Sequence, residues 1–190
     1  MQVAQTKGER TAERILEATA HCIATFGIEE SSITRIATQA QVSRALVAHY
    51  YPQKARIFLQ VVHYIVARAY DEIGATPEGS AEARLMHVFR SNLEFFLKHA
   101  HYFKCFMLFY YMSGVDPEFK ALNTKLTEVA IERIRENLVG MGRRDKALPD
   151  ILHNQMLGAI LKFQSTQVKE GPEAFIKNFL KRIKQQLESE

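Results

Sequence analysis

What this sequence has little of narrows it first. Two cysteines, Cys22 and Cys105, are the only thiols in 190 residues, and both lie in strongly apolar helical surroundings, so no disulfide framework is expected. No stretch alternates convincingly with period two, which argues against a sheet-built fold. The longest aromatic run, Tyr102 to Met112, is too short to span a bilayer and is interrupted by Lys104. The N-terminus, Met-Gln-Val-Ala-Gln-Thr-Lys-Gly-Glu-Arg, has no apolar leader segment, so a cytoplasmic protein without membrane partners is the default. No Gly-rich phosphate loop and no convincing catalytic triad can be traced, so neither enzymatic residues nor a cofactor is expected. Internal repeats and low-complexity tracts are missing too.

What is present is a helical pattern with ample core material. Apolar residues make up 47% of the chain, with 12 Phe and 7 Tyr. Apolar positions recur at i, i+3, i+4 and i+7 through almost every segment, which predicts an all-α protein of about nine helices. Helix one is expected from about Thr11 to Phe26, with Gly27 as its stop, and Ser31 or Ser32 caps helix two. A turn at Gln41-Val42 leads to Ser43, the N-cap of helix three. Pro52 is placed in the first turn of a long helix four, which runs to about Ile73. Helix five is expected over Ala81 to Lys98 and helix six over Tyr102 to Met112. Asp116 caps helix seven, which reaches about Val139. Helix eight is expected over Asp150 to Lys169, and helix nine follows Gly171-Pro172 to about Leu187.

The charge is mildly basic, +4 over the chain, which permits a polyanionic partner without demonstrating one. Its distribution says more. Within the first 70 residues Lys7, Arg10, Arg14, Arg35, Arg44, Lys54, Arg56 and Arg68 face only Glu9, Glu13, Glu17, Glu29 and Glu30, so most of the excess lies there. The same segment carries two short helices joined by a tight turn, Ile33 to Tyr50. That is the pattern of a helix-turn-helix, whose second helix can lie in a DNA major groove. Helix three offers Ser43, Arg44, Ala45, Leu46, His49 and Tyr50 on or near the face not needed for packing, while Val42 and Val47 anchor it. Arg44 can bond guanine O6 and N7 or grip a phosphate, and His49 and Tyr50 can donate to phosphates or base edges. Ser32, Thr34 and Lys54, near helix starts, complete the expected DNA-binding set. A pair of surface helices in an ordinary helical protein is the plainer alternative.

Residues 10–56 resemble the DNA-binding domain of the TetR (tetracycline-repressor) family of bacterial transcriptional regulators. The family's run is approximately G-x-x-x-T-[ST]-[VI]-x-x-I-A-x-x-A-G-V-S-x-G-x-[LI]-Y-x-[HY]-F-x-x-K. This chain matches, by identity or close replacement, at Gly27, Ser31, Ser32, Ile33, Ile36, Ala37, Ala40, Val42, Ser43, Val47, Tyr50, Tyr51 and Lys54. It departs at three places. Gln41 stands at the turn glycine, Ala45 at the helix-three glycine and Ala48 at a phosphate-gripping tyrosine. The first must be reached without glycine's freedom, and the last removes a contact.

Beyond residue 60 the resemblance is architectural, and it implies a bundle that binds an effector and dimerises. The expected division is residues 1–52 for DNA and residues 53–190 for effector and partner. The aromatic content of helices five and six exceeds what one face can hold, so burial on several faces is expected. A small hydrophobic or amphipathic effector is expected against Phe96, His99, Phe103, Phe106, Met107, Tyr110, Met156, Ile160 and Phe163, with Asn92 and Gln164 as further polar contacts. Helices eight and nine each carry an apolar stripe suited to a homodimer, as two-fold DNA half-sites would favour. His101 and Cys105 share a helical face with His99 nearby, but no third ligand is spaced to close a tetrahedron, so no metal is expected. An apolar setting also dulls Cys105 as a redox sensor.

The expectation is therefore a ligand-responsive homodimeric repressor that binds a palindromic operator and is released by its effector. The alternatives are an activator or partner-controlled regulator of the same fold, or a helical small-molecule-binding protein that has lost DNA binding.

Overall fold

The computed structural model describes residues 6–189, without the side chains of Lys54 and Ala55. Nine helices and no strand occur among these residues: α1 (Lys7–Glu30), α2 (Ile33–Ala40), α3 (Arg44–Tyr50), α4 (Lys54–Ile73), α5 (Ala81–Lys98), α6 (Ala100–Ser113), α7 (Pro117–Gly140), α8 (Leu148–Ser165) and α9 (Pro172–Ser189). The all-α expectation holds. No helix among the described residues is long and apolar enough to cross a membrane.

Most boundaries follow from local chemistry. α1 starts earlier than its apolar period suggests, because Thr6 and Glu9 close a capping box. The Thr6 hydroxyl accepts from the Glu9 N–H at 3.2 Å, and the Thr6 N–H donates to the Glu9 carboxylate at 2.7 Å. Gly27 interrupts α1 as expected, with φ 78° and ψ 173°, and one further turn reaches Glu30. Ser80 caps α5, and Asp116 caps α7 just ahead of Pro117.

Three expected ends are corrected. Pro52 lies outside α4, since Tyr51 before it closes α3 at φ −135° and ψ 79°, outside the helical region that a residue before proline avoids. The helix opens instead where the Gln53 carbonyl accepts from the N–H groups of Arg56 and Ile57. α8 begins at Leu148 rather than Asp150, because the Asp145 carboxylate accepts from the N–H groups of Ala147 and Leu148 at 2.7 and 3.3 Å. It ends at Ser165, four residues early, where Thr166 turns extended and its hydroxyl folds back on the Lys162 carbonyl at 2.7 Å.

The chain divides into two compact units. The first comprises residues 1–70 and 101–115, the second residues 71–100 and 116–190. In the first, Ile15, Ala18 and Cys22 of α1 pack with Ile36, Ala37 and Ala40 of α2, Val47 of α3 and Ile57 of α4. α6 belongs to this unit and buries Tyr102, Phe103, Cys105 and Phe109, while Tyr111 stays exposed. In the second unit, α5 packs with α7, α8 and α9. α5 buries Leu85, Val88, Phe89, Leu93 and Phe95, and against α9 Phe89 stands edge to face with Phe179 at 6.0 Å. Gly140 permits a close approach of α7 to α5, where a methyl at that position would sit 2.9 Å from the Ala81 Cβ.

Candidate nucleic-acid interface

α2 and α3 are held apart by one residue in the left-handed region. Gln41 has φ 54° and ψ 48°, and it alone of the non-glycine described residues has positive φ. Its N–H donates to the Thr38 carbonyl at 3.1 Å, and the next N–H, of Val42, reaches back to the Ala37 carbonyl at 3.0 Å. Two of the last α2 carbonyls are thereby satisfied and the chain turns sharply. An Arg14 guanidinium N–H donates to the Gln41 carbonyl at 3.4 Å, tying the turn to α1. The serines on either side act as caps: Ser32 Oγ accepts from the Arg35 N–H at 3.2 Å and Ser43 Oγ from the Leu46 N–H at 3.1 Å. Each hydroxyl is then an acceptor toward its own helix, and its O–H proton can still be given to a phosphate.

α3 has two distinct faces. Val47 is fully buried, and Val42, Tyr50 and Tyr51 are partly buried against the same core. Burial holds the Tyr51 phenol neutral and pushes it up to about 12. Ser43, Arg44, Ala45, Ala48 and His49 are exposed, with Leu46 half-buried at the margin. Ser32 and Thr34 are exposed on the preceding helix. Of the nine residues expected at DNA, seven thus share the solvent side of α2 and α3 or its edge. Tyr50 is turned differently: its hydroxyl donates to the Gly8 carbonyl at 3.2 Å, and its ring stands edge-on to His49 at 5.6 Å. Lys54 opens α4, and its side chain lies outside the described residues.

The electrostatic setting suits a polyanion. From Ser31 to Tyr70 the chain has no Asp or Glu, while Arg35, Arg44, Lys54, Arg56 and Arg68 fall in that stretch. Arg35 was missed by reading the face of α3 alone. It is exposed on α2, with its guanidinium 4.1 Å above the half-exposed Phe26 ring. The local signal was available, since the stripe Ile33, Ile36, Ala37 and Ala40 leaves Arg35 on the outer face.

The residues expected at an effector do not fall within one compact unit. Phe103, Phe106, Met107 and Tyr110 lie on α6 in the first unit, with Phe103 buried and the other three half-buried. Phe96, His99, Met156, Ile160 and Phe163 belong to the second. There Met156 and Ile160 are buried, and Phe163 packs its ring on Phe175 at 4.9 Å. The three expected polar contacts have protein partners. The Asn92 amide donates to the Val88 carbonyl at 2.8 Å, the Gln164 amide donates to the Phe96 carbonyl at 3.0 Å, and His99 Nε2 meets the Glu72 carboxylate at 2.9 Å. Lys98 bonds the same carboxylate at 2.7 Å, and with His99 it holds Glu72 below the usual carboxylate range.

Residues 15–61 match the family model described as bacterial regulatory proteins, tetR family. The HTH-type transcriptional regulator BetI of Escherichia coli O139:H28 is 26% identical over 136 residues, covering 70% of this chain and 68% of BetI. A transcriptional regulator from Rhodococcus sp. Rha1 superposes with a TM-score of 0.81 at 18% identity, covering 94% of this chain and 96% of that one. AibR, solved in complex with isovaleryl coenzyme A and operator DNA, superposes with a TM-score of 0.71 at 15% identity, covering 90% and 96%. The left-handed turn, the two capped helices and the buried Val47 fall within that match, so residues 15–61 carry a helix-turn-helix DNA-binding domain of the tetR family type, on a chain whose fold is that of the solved regulators.

Proposed function

We propose that this protein is a homodimeric transcriptional repressor that reads a palindromic operator with α3 and leaves it when a small hydrophobic or amphipathic effector binds. The observation that carries the reading is the two-sided character of α3. Val47 is fully buried while Arg44, Ala45 and His49 stand in solvent on an acid-free stretch, so the helix can enter a groove without disturbing its own core. Ser32, Thr34, Ser43 and Lys54 are assigned to phosphates. Leu46 and Tyr50, at the margin, support the reading helix more than they touch bases. The functional division is residues 1–52 for the operator and residues 53–190 for effector and dimer.

Dimerisation is assigned to α8 and α9. The outer side of α8 leaves Ile151 and Leu161 exposed, and a groove of about 330 Å³, lined by Gly158, Ala159, Phe175, Phe179 and Ile183 together with Gln155, Lys162, Arg182 and Gln186, offers room for a second helix. Effector contacts are assigned as two separate sets, Phe103, Phe106, Met107 and Tyr110 on α6, and Phe96, His99, Met156, Ile160 and Phe163 on α5 and α8. AibR, with its acyl-coenzyme A ligand, supports an effector that combines an apolar and a polar part. A coupling of about 1–3 kcal/mol between effector and operator weakens DNA binding roughly 5–150-fold.

The test is selection of genomic fragments by the purified protein, followed by fluorescence anisotropy on the enriched sequence. Arg44→Ala is expected to weaken binding by about 1–3 kcal/mol and to relax specificity at one base pair. The Arg44→Ala/His49→Ala pair is expected to abolish specific binding with the helical content unchanged. Specific binding that survives the double substitution removes α3 as the reader.

A further inference from the structure

The first unit holds a side-chain cluster that the DNA-reading function does not use. Glu17 and His21 stand one turn apart on α1, and α6 brings His101 against them. Glu17 Oε1 lies 3.2 Å from His21 Nε2 and 3.1 Å from His101 Nε2, and the three groups' ligand atoms all fall within 4.8 Å of one another. We propose that Glu17, His21 and His101 form a binding site for a first-row divalent cation, with Zn²⁺ the best fit.

The geometry favours such an ion. Zinc bonds of about 2.0–2.1 Å in a tetrahedron set ligand atoms roughly 3.3 Å apart, close to both oxygen–nitrogen separations here. Two imidazoles and one carboxylate suit zinc and its neighbours and disfavour Mg²⁺ and Ca²⁺, which take oxygen ligands. The carboxylate is oriented from behind, because the Tyr102 hydroxyl donates to Glu17 Oε2 and Tyr64 hydrogen-bonds the same carboxylate. Cys105, one turn beyond His101, stays out of the set. Its buried Sγ donates to the Ala20 carbonyl at 3.4 Å, and burial pushes the thiol up to about 12. The donors are therefore nitrogen and oxygen only.

An ion can also reach the site. The His21 side chain is 46% exposed and that of Glu17 33%, so one side is open to entry and to a water as fourth ligand. The rings of His21 and His101 stack at 4.0 Å with only 10° between their planes. Binding requires the exposed His21 ring to turn out of the stack until both lone pairs point at one centre. The ion would then pin α6 to the helix whose Ile15, Ala18 and Cys22 form the helix-turn-helix core.

The experiment uses the full chain, stripped with a chelator and titrated with Zn²⁺ against a chromophoric competitor, in the absence of DNA. One equivalent is expected to bind, and Co²⁺ is expected to give the visible bands of a tetrahedral site. His21→Gln and His101→Gln should each abolish stoichiometric binding. Tyr102→Phe should keep the stoichiometry and weaken affinity about 10–100-fold. The proposal is overturned if the wild-type chain takes up no Zn²⁺, or if uptake is unchanged in His21→Gln, whose exposed position leaves folding intact. Because no operator is present, failure here leaves the DNA-binding reading untouched.

Discussion

Replacing Gln41 by glycine is expected to stabilise this protein. Left-handed backbone costs a non-glycine residue about 1–2 kcal/mol, through the approach of Cβ to the following carbonyl oxygen. Gln41 accepts that cost at φ 54° to make the turn between α2 and α3. Glycine removes the clash but gives the unfolded chain more freedom, worth about 0.5–1 kcal/mol against folding. The net expectation is a gain of about 0.5–1 kcal/mol. Nothing else opposes it: the Gln41 side chain is exposed, and the bonds that hold the turn run through its own N–H and carbonyl, to Thr38 and Arg14. In urea unfolding this is an upward shift in midpoint of about 0.3 M at an unchanged slope. Gln41→Ala is the control, since it keeps both the Cβ and the φ value and should match the wild type. If Gln41→Gly proves no more stable than Gln41→Ala, the turn is not strained and the argument fails.

Other perturbations test other parts of the structure. Gly140→Ala puts a methyl 2.9 Å from the Ala81 Cβ and should cost about 1–3 kcal/mol by overpacking, with the Gly140→Ala/Ala81→Gly pair restoring most of the loss in a double-mutant cycle followed by urea unfolding. Glu17 is held at about 2 because hydrogen bonds from His101, Tyr102 and Tyr64, with the His101 charge, outweigh the upward push of burial. A depressed carboxylate stabilises above its unfolded value, near 4.5, and that contribution is lost as pH falls toward 2, so metal-free wild type should lose stability over this window more steeply than Glu17→Gln. Ser43→Ala removes the acceptor for the Leu46 N–H and should cost about 1 kcal/mol, measurable as a lowered unfolding midpoint. Phe106→Ala and Phe163→Ala, assayed separately for effector-driven release of DNA, test the two effector sets one at a time. An unchanged response in either removes that set.

Legibility followed the range of the interactions. Ends set by a neighbouring residue were readable: Gly27 breaks α1, Ser43 caps α3, and Asp116 with Pro117 opens α7. The α5 limits, Ala81 and Lys98, also emerged from the apolar period and the Gly-Ser stop before it. Ends set by a side chain folding back were not, since Thr166 and Asp145 look like ordinary loop residues until their oxygens find backbone partners. The exposed face of α3 was visible because a helix with one fixed anchor, Val47, exposes predictable neighbours. The fate of Tyr50 was hidden, because its partner Gly8 is 42 residues away. Distance along the chain also concealed the Glu17, His21 and His101 cluster: His101 shows only Cys105 at helical spacing, and its real neighbours are 84 and 80 positions earlier.

The departures from the family pattern bear on how α3 can read DNA. At Gln41 the backbone reaches the left-handed turn without glycine, so the turn is made at a cost in stability. Ala45 and Ala48 are both exposed on α3, which leaves its outer face with little side-chain bulk between Arg44 and His49. A smooth face of that kind lets the helix backbone approach the groove closely, and it concentrates base recognition in few residues. The family's tyrosine grip on phosphate is absent at Ala48, and Tyr50 is occupied with the Gly8 carbonyl. The proposed function then assigns phosphate contact to the serine hydroxyls, Arg35 and the cations at the start of α4. On this reading Arg35→Ala lowers affinity nearly equally for matched and mismatched operators, and it reduces the salt slope by about one. Arg44→Ala instead narrows the gap between the two operators. Equal behaviour of the two variants would show that α2 and α3 do not divide the work in this way.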